Sequence, residues 1–239
     1  MRVRRTVPAT ILLCACFAGC QGTERKAPPL TADQRTAKSK LEEQMNEAAK
    51  TAKTYHAMDN RELLDRLVEQ SKALKEPFNS LAYRELKTRT DIDAKALTGL
   101  VKENQNVGGL LPLLLLRNQN KQAYTEVPAE MRAKILTDAL QLSKTFNTWG
   151  LPGVYLQDAS NAMIEAGRSA VPSLKRILSE TRPAPLYGSK EHVLAQQRKF
   201  RLCDYALFFL EQIAGRQDFR IPESTAERDA LIKQLAAAK

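Results

Sequence analysis

From Asp59 onward the apolar positions recur three and four residues apart, the spacing of helices that bury one face. Leu63, Leu64, Leu67, Val68 and Leu74 form a first stripe. It follows Asp59-Asn-Arg-Glu62, a capping box in which the aspartate takes free amides and the glutamate reaches back. Pro77 interrupts the rhythm, and Phe78, Leu81, Ala82 and Leu86 mark a second helix, so residues 59–89 predict a helical hairpin. Asp91-Ile-Asp93 opens a third helix through Ala96, Leu97, Leu100 and Val101, followed by a turn over 104–109. Leu110-Leu-Pro-Leu-Leu-Leu-Leu116 is apolar all round. That pattern predicts a helix enclosed on every side, far shorter than the ~20 residues of a membrane span. A further helix starts at Pro128 and runs through Ile135, Leu136, Ala139, Leu140 and Leu142 to about Lys144. Ser224-Thr-Ala-Glu227 caps a last helix, with Leu231, Ile232 and Leu235 inward.

Two segments break the rhythm. Phe146-Asn-Thr-Trp-Gly-Leu-Pro-Gly-Val-Tyr155 carries two glycines, a proline and the chain's one tryptophan. Arg182-Pro-Ala-Pro-Leu-Tyr-Gly-Ser189 is the other, with Ser189 placed to cap a helix containing His192. Trp149, Tyr155 and Tyr187 are amphipathic aromatics of the kind enriched at interfaces, which makes them candidate binding residues. The alternative is that they fill gaps left by non-helical chain. On that division Trp149 is expected in the core and Tyr187 at the surface.

The densest pattern lies between Ala159 and Gly215. Ala159, Ala162, Met163 and Ala166 share a helix face, Gly167 stops the turn, and Ala170-Val-Pro-Ser-Leu174 restarts the chain. Leu174, Ile177 and Leu178 then form a second stripe, and alanines facing leucines let two helix axes approach closely. Arg201-Leu-Cys-Asp-Tyr-Ala-Leu-Phe-Phe-Leu-Glu-Gln-Ile-Ala-Gly215 repeats the first half. This alanine-rich helix, glycine turn, Ala-Val-Pro-x-Leu restart and leucine-rich helix resembles the HEAT-type (ARM-like) repeat. The resemblance covers about a quarter of the chain, and the 182–189 insertion stretches the usual period of ~40–47 residues. It implies an all-α solenoid of stacked helical hairpins. Arg198, Lys199 and Arg201, with Asp204, resemble the charged positions that link neighbouring repeats, where an Arg201–Asp204 pair is the structural reading and ligand binding the other.

The N-terminus has a different character. Met1-Arg-Val-Arg-Arg5 followed by an apolar run from Thr6 to Phe17 reads as a signal peptide, too short to span a bilayer. Phe17-Ala-Gly-Cys20 resembles the bacterial lipobox, with Phe17 in place of the usual leucine. The resemblance implies cleavage before Cys20 and a lipid on its sulfur, an attachment made permanent by two or three acyl chains. Gln21 rather than aspartate after the cysteine points, by the same resemblance, to the outer membrane facing the periplasm or the surface if the envelope is Gram-negative. Cys14 and Cys16 leave with the leader, so Cys203 remains as a buried free thiol. The expected organisation is a leader over 1–19, a tether over 20–30, a polar helix over 31–58 and a helical-repeat domain over 59–239. Leu41, Met45, Ala48, Ala52 and Tyr55 give the polar helix a heptad seam two repeats long, short of a coiled coil. The same helix could span ~40 Å and stand the domain off the bilayer.

The sequence has 37 basic and 27 acidic residues. Losing Arg2, Arg4 and Arg5 with the leader leaves 34 basic residues and a balance of +7. That surplus fits a solvated surface or an anionic partner, and no basic block interleaved with aromatics suggests nucleic acid. His56 and His192 are the only histidines, no zinc spacing occurs, and there is no phosphate loop or nucleophile elbow. Neither a catalytic residue nor a metal or cofactor is expected. The sequence reading is a lipid-anchored envelope scaffold or adaptor that binds an envelope protein, with Trp149, Tyr155, Tyr187, Arg198 and Arg201 as candidate contacts. The alternatives are a binder of an anionic polymer or lipid headgroup, and a hydrolase whose site is dispersed along the chain.

Overall fold

A computed structural model describes residues 31–188 and 192–237. Cys20, the leader and the cap expected at Ser189 lie outside the described residues. Helices dominate, as the apolar spacing predicts, and the only sheet among the described residues is one two-stranded ribbon. No helix there is long and apolar enough to cross a membrane.

The chain divides into two compact units, Met1–Asn46 and Glu47–Lys239. In the first, the described residues form the beginning of α1 (Ala32–Ala57), opened by Thr31, which exchanges hydrogen bonds with Gln34. Leu41 and Met45 are exposed, so their part of the heptad seam is uncovered. The rest of α1 belongs to the second unit, where the Tyr55 hydroxyl accepts a hydrogen bond from Gln70 at 2.8 Å.

The second unit continues with α2 (Asn60–Lys72), α3 (Leu81–Thr88), α4 (Ala94–Glu103), α5 (Leu110–Gln119), α6 (Lys121–Glu126) and α7 (Ala129–Leu142). The ribbon β1 (Gly150–Leu151) and β2 (Tyr155–Leu156) follows, then α8 (Asp158–Ala166), α9 (Val171–Ile177), α10 (His192–Arg198), α11 (Leu202–Ile213) and α12 (Thr225–Ala237). Helix α5 is the hub. Residues Leu110 to Leu116 are all buried, and the helix touches α2, α3, α4, α6, α7 and α8. A helix with no polar face can be stable in water only when neighbours enclose it, and here they do.

Asp59 and Glu62 cap α2 reciprocally. Its other end closes in a Schellman motif, with Lys75 N–H donating to Gln70 O and Leu74 N–H to Ser71 O. Leu74 takes the left-handed position of that motif at φ 54°, where glycine is the usual residue. Phe78 departs from its expected place on the second helix. The helix starts later, because Ser80 supplies the cap by accepting from Tyr83 N–H, and Phe78 is left exposed on the connecting loop. Helix α7 stops at Leu142, short of Lys144. The Arg182 guanidinium binds the Gln141 and Ser143 carbonyls at its end, and Leu142 is exposed. Helix α6 and the ribbon had no counterpart in the apolar spacing.

Alanine faces on α8 pack against α7 and α11, and α9 packs against α11. The link between α8 and α9 turns on Gly167, which holds φ 62° and ψ −141°, a region that admits glycine almost alone. Helix α12 meets α11 through charge as well as apolar contact. Asp204 and Arg228 are both fully buried and 3.1 Å apart, and Arg201 binds Asp204 at 2.9 Å and Asp229 at 2.7 Å. Leu231, Ile232 and Leu235 are only partly buried, while Arg228 sits deepest, beneath the charge network and over the Phe200 ring.

Nothing lies within 4 Å of the position a Cβ would take on Gly167, so substitution there tests conformation alone. Gly167→Ala is expected to cost ~1–3 kcal/mol through backbone strain. Denaturant unfolding measures this, and an unchanged midpoint would show that the turn relaxes freely.

Candidate binding groove

The two irregular segments meet on one side of the second unit, and a buried carboxyl holds them there. Glu76 follows the Schellman turn of α2 and is only 7% exposed. Its Oε1 accepts from the Thr145 hydroxyl at 2.5 Å and from Asn147 N–H at 3.2 Å. Asn147 in turn binds the backbone of Tyr187 on both sides. Its Nδ2 donates to Tyr187 O at 2.6 Å, and its Oδ1 accepts from Tyr187 N–H at 3.1 Å. Phe146 N–H donates to Pro185 O in the same register. Apart from the Thr145 hydroxyl contact, these bonds supply partners to backbone that helix formation would otherwise have satisfied.

Between these segments and α3 runs a groove of about 690 Å³. Phe78, Tyr155 and Tyr187 line it with Arg84 and Lys87 of α3 and Asp158 of α8, and Tyr83 lies deeper. Phe78 is 58% exposed and Tyr187 56%. Both rings therefore stand in water although each could bury a large apolar area against a partner. The Tyr83 hydroxyl accepts from Asn118 at 2.8 Å, and the same amide nitrogen donates to Asp158 at 3.0 Å. Burial first, and the Asp158 charge second, push the Tyr83 phenol well above its ordinary value, so it stays protonated.

Of the candidate residues, the groove brings together Tyr155 and Tyr187. Trp149 is enclosed in the core, where its Nε1 donates to Ser143 Oγ at 3.0 Å and its ring lies 6.0 Å from Phe209. It packs beside the ribbon and is 1% exposed. Arg198 pairs with Glu223 at 2.6 Å, and Arg201 is held by Asp204 and Asp229, so both are engaged within the fold. Cys203 is a buried free thiol, and burial together with the Asp204 charge pushes it up to about 11, which leaves little thiolate at neutral pH. Among the described residues no group of three or more His, Cys, Asp or Glu is placed to hold a metal.

Sequence reasoning missed Phe78 as a groove residue and Glu76 as the anchor. Phe78 sits one residue beyond Pro77 and fits a helix stripe equally well, and nothing around Glu76 distinguishes it from other loop glutamates. What the geometry defines is a class: a helical protein with an aromatic-lined, basic-edged groove. No family model, curated protein or solved structure matches the chain.

Burial raises the Glu76 carboxyl above its ordinary value of 4.5, against the pull of Thr145 and of the Asn147 and Thr148 backbone. Lys72, Lys75 and Lys144 line the cavity beside it. A raised folded value means that Glu76 stabilises fully below 4.5, and that this contribution is lost as pH rises through the folded value. Glu76→Gln keeps an acceptor for Thr145 and Asn147 without the buried charge. It is expected to melt above the parent near neutral pH. That gain should shrink toward pH 4.5. A difference independent of pH would remove the charge from the account.

Proposed function

We propose that the protein is a bacterial lipoprotein, anchored through acylated Cys20, that acts as a non-enzymatic scaffold or adaptor for an envelope protein. Its α8, α9 and α11 are read as HEAT-like repeat helices, supported by the α8–α11 and α9–α11 contacts and the glycine turn at Gly167. The anchor is read from Phe17-Ala-Gly-Cys20. The observation that carries the adaptor reading is the pair of exposed rings, Phe78 and Tyr187, on a groove fixed from beneath by Glu76 and Asn147. Rigid aromatics over a preorganised backbone lose little entropy on binding, which is the character of interface hot spots. Arg84 and Lys87 at the edge suit a partner segment that carries carboxylates beside apolar side chains.

A second reading, binding of an anionic envelope polymer or lipid headgroup, is favoured by one observation. Lys72, Lys75 and Lys144 share a cavity of about 270 Å³ beside Glu76. The two readings differ in their response to salt, because exposed lysines are screened at moderate ionic strength while buried rings are not.

The test is capture from detergent-solubilised membranes with a C-terminally tagged chain, beside Cys20→Ala, Phe78→Ala and Tyr187→Ala. The parent is expected to retain defined proteins at moderate salt. Each aromatic variant should weaken the complex ~30-fold or more, the scale of a hot-spot side chain. Cys20→Ala should leave the membrane fraction. Recovery of only glycan or lipid, released by salt, would favour the second reading, and membrane retention of Cys20→Ala would end the lipoprotein reading.

A further inference from the structure

On the other side of the 182–187 segment lies a second cavity, of about 520 Å³, a size typical of small-molecule sites. Its wall is mainly apolar: Pro183, Pro185, Leu186, Ala195 and Phe200. The basic residues that line it are His192, Lys199 and Arg201, and among the described residues no aspartate or glutamate does so. Arg201 is neutralised by Asp204 and Asp229. Lys199 is exposed and makes no ion pair among the described residues. A carbonyl can only accept, so the contact between His192 Nδ1 and Leu186 O fixes the proton on Nδ1 and leaves Nε2 as the ring's second polar atom.

Lys199 carries a further mark. It ends α10 in the left-handed conformation at φ 49°, a place where glycine would sit without strain. Backbone bonds on either side hold this turn, Ala184 N–H to Phe200 O and Arg228 to Arg198 O, and it leaves the Lys199 side chain exposed at the edge of the apolar cavity. The surplus positive charge at the mouth and the apolar wall behind it are complementary to one kind of molecule.

We propose that this cavity binds a single-chain amphiphile with an anionic head, the chain lying along Pro183, Leu186 and Phe200 and the head meeting Lys199. A neutral apolar molecule would waste the charge, and a compact hydrophilic anion would leave the wall wet. The site is separate from the groove proposed above, although Tyr187 borders both.

Calorimetric titration of the full chain carrying Cys20→Ala with octanoate, decanoate, dodecanoate and tetradecanoate, each beside its alcohol, tests this. Affinity for the carboxylates is expected to rise about four-fold with each added methylene until the cavity is full, then level off. Alcohols of equal length should bind about ten-fold more weakly, the value of one charge-assisted contact. Lys199→Gln should remove that gap and leave alcohol binding unchanged. Ala195→Trp, filling the wall, should abolish both. Equal binding of alcohols and carboxylates, no dependence on chain length, or an undiminished gap in Lys199→Gln would each overturn the proposal, and the last needs no variant of the core.

Discussion

A helical body crossed by chain that forms no helix must find hydrogen-bond partners for that chain's backbone, and the rest of this structure depends on how it does so. Residues 143–157 and 181–187 bury amides and carbonyls among helices that already satisfy their own. Side chains answer one by one. Arg182 closes the end of α7, Glu76 takes up Thr145 and Asn147, and Asn147 holds Tyr187. The hydroxyls of Ser160 and Tyr205 donate to the Trp149 and Gly150 carbonyls, and the ribbon pairs Gly150 with Leu156. Each bond is worth only ~1 kcal/mol net, but each missing one would leave a buried group unpaired at a larger cost. The groove is a by-product of this accounting. Its walls are the segments so tied, which is why its exposed rings sit on backbone that is already ordered.

The same logic extends to charge. Asp204 caps α11 through Arg201 N–H, yet it lies fully buried beside Arg228 and Arg201. Removing one partner from such a group strands a charge and costs ~3–5 kcal/mol, while replacing the whole set by apolar residues could be neutral. The network therefore acts less as a source of stability than as a register mark. It accepts α12 only where Arg228 can also reach the Pro222, Glu223 and Arg198 carbonyls. Arg198 and Arg201, which looked available for a ligand in the sequence, are consumed by this arrangement.

Much of the helical layout was legible because it rests on local rules. The capping box at Asp59, the all-leucine α5 and the Gly167 turn each follow from residues within one or two turns of each other. The candidate site was legible only in part. Tyr155 and Tyr187 were marked as aromatics on irregular chain, but whether an aromatic there is core or surface depends on what packs over it. Trp149 found Phe209 and Ser143, sixty and six residues away in the chain, and Tyr187 found open groove. Phe78 escaped because a residue after Pro77 fits a helix stripe as well as a loop, and the choice was made by Ser80 capping α3. Glu76 and Arg228 escaped for a simpler reason. Periodicity describes apolar faces and says nothing about which charged residue will be drawn inside.

Two residues other than glycine hold the left-handed backbone among the described residues, Leu74 and Lys199, and both border cavities. Leu74 closes the end of α2 in a position glycine would fill more cheaply, and Lys199 does the same for α10. A local rule broken twice at cavity edges, in a chain that otherwise obeys its local rules, is informative. At Leu74 a structural cause is visible, since the half-buried side chain and the Schellman bonds together hold the turn that delivers Glu76 to Asn147. At Lys199 the side chain is exposed and makes no ion pair among the described residues. Side-chain packing holds the first conformation, whereas at Lys199 the backbone on either side is tied, by Ala184 N–H to the Phe200 carbonyl and by Arg228 to the Arg198 carbonyl, and the lysine side chain is left at the cavity edge.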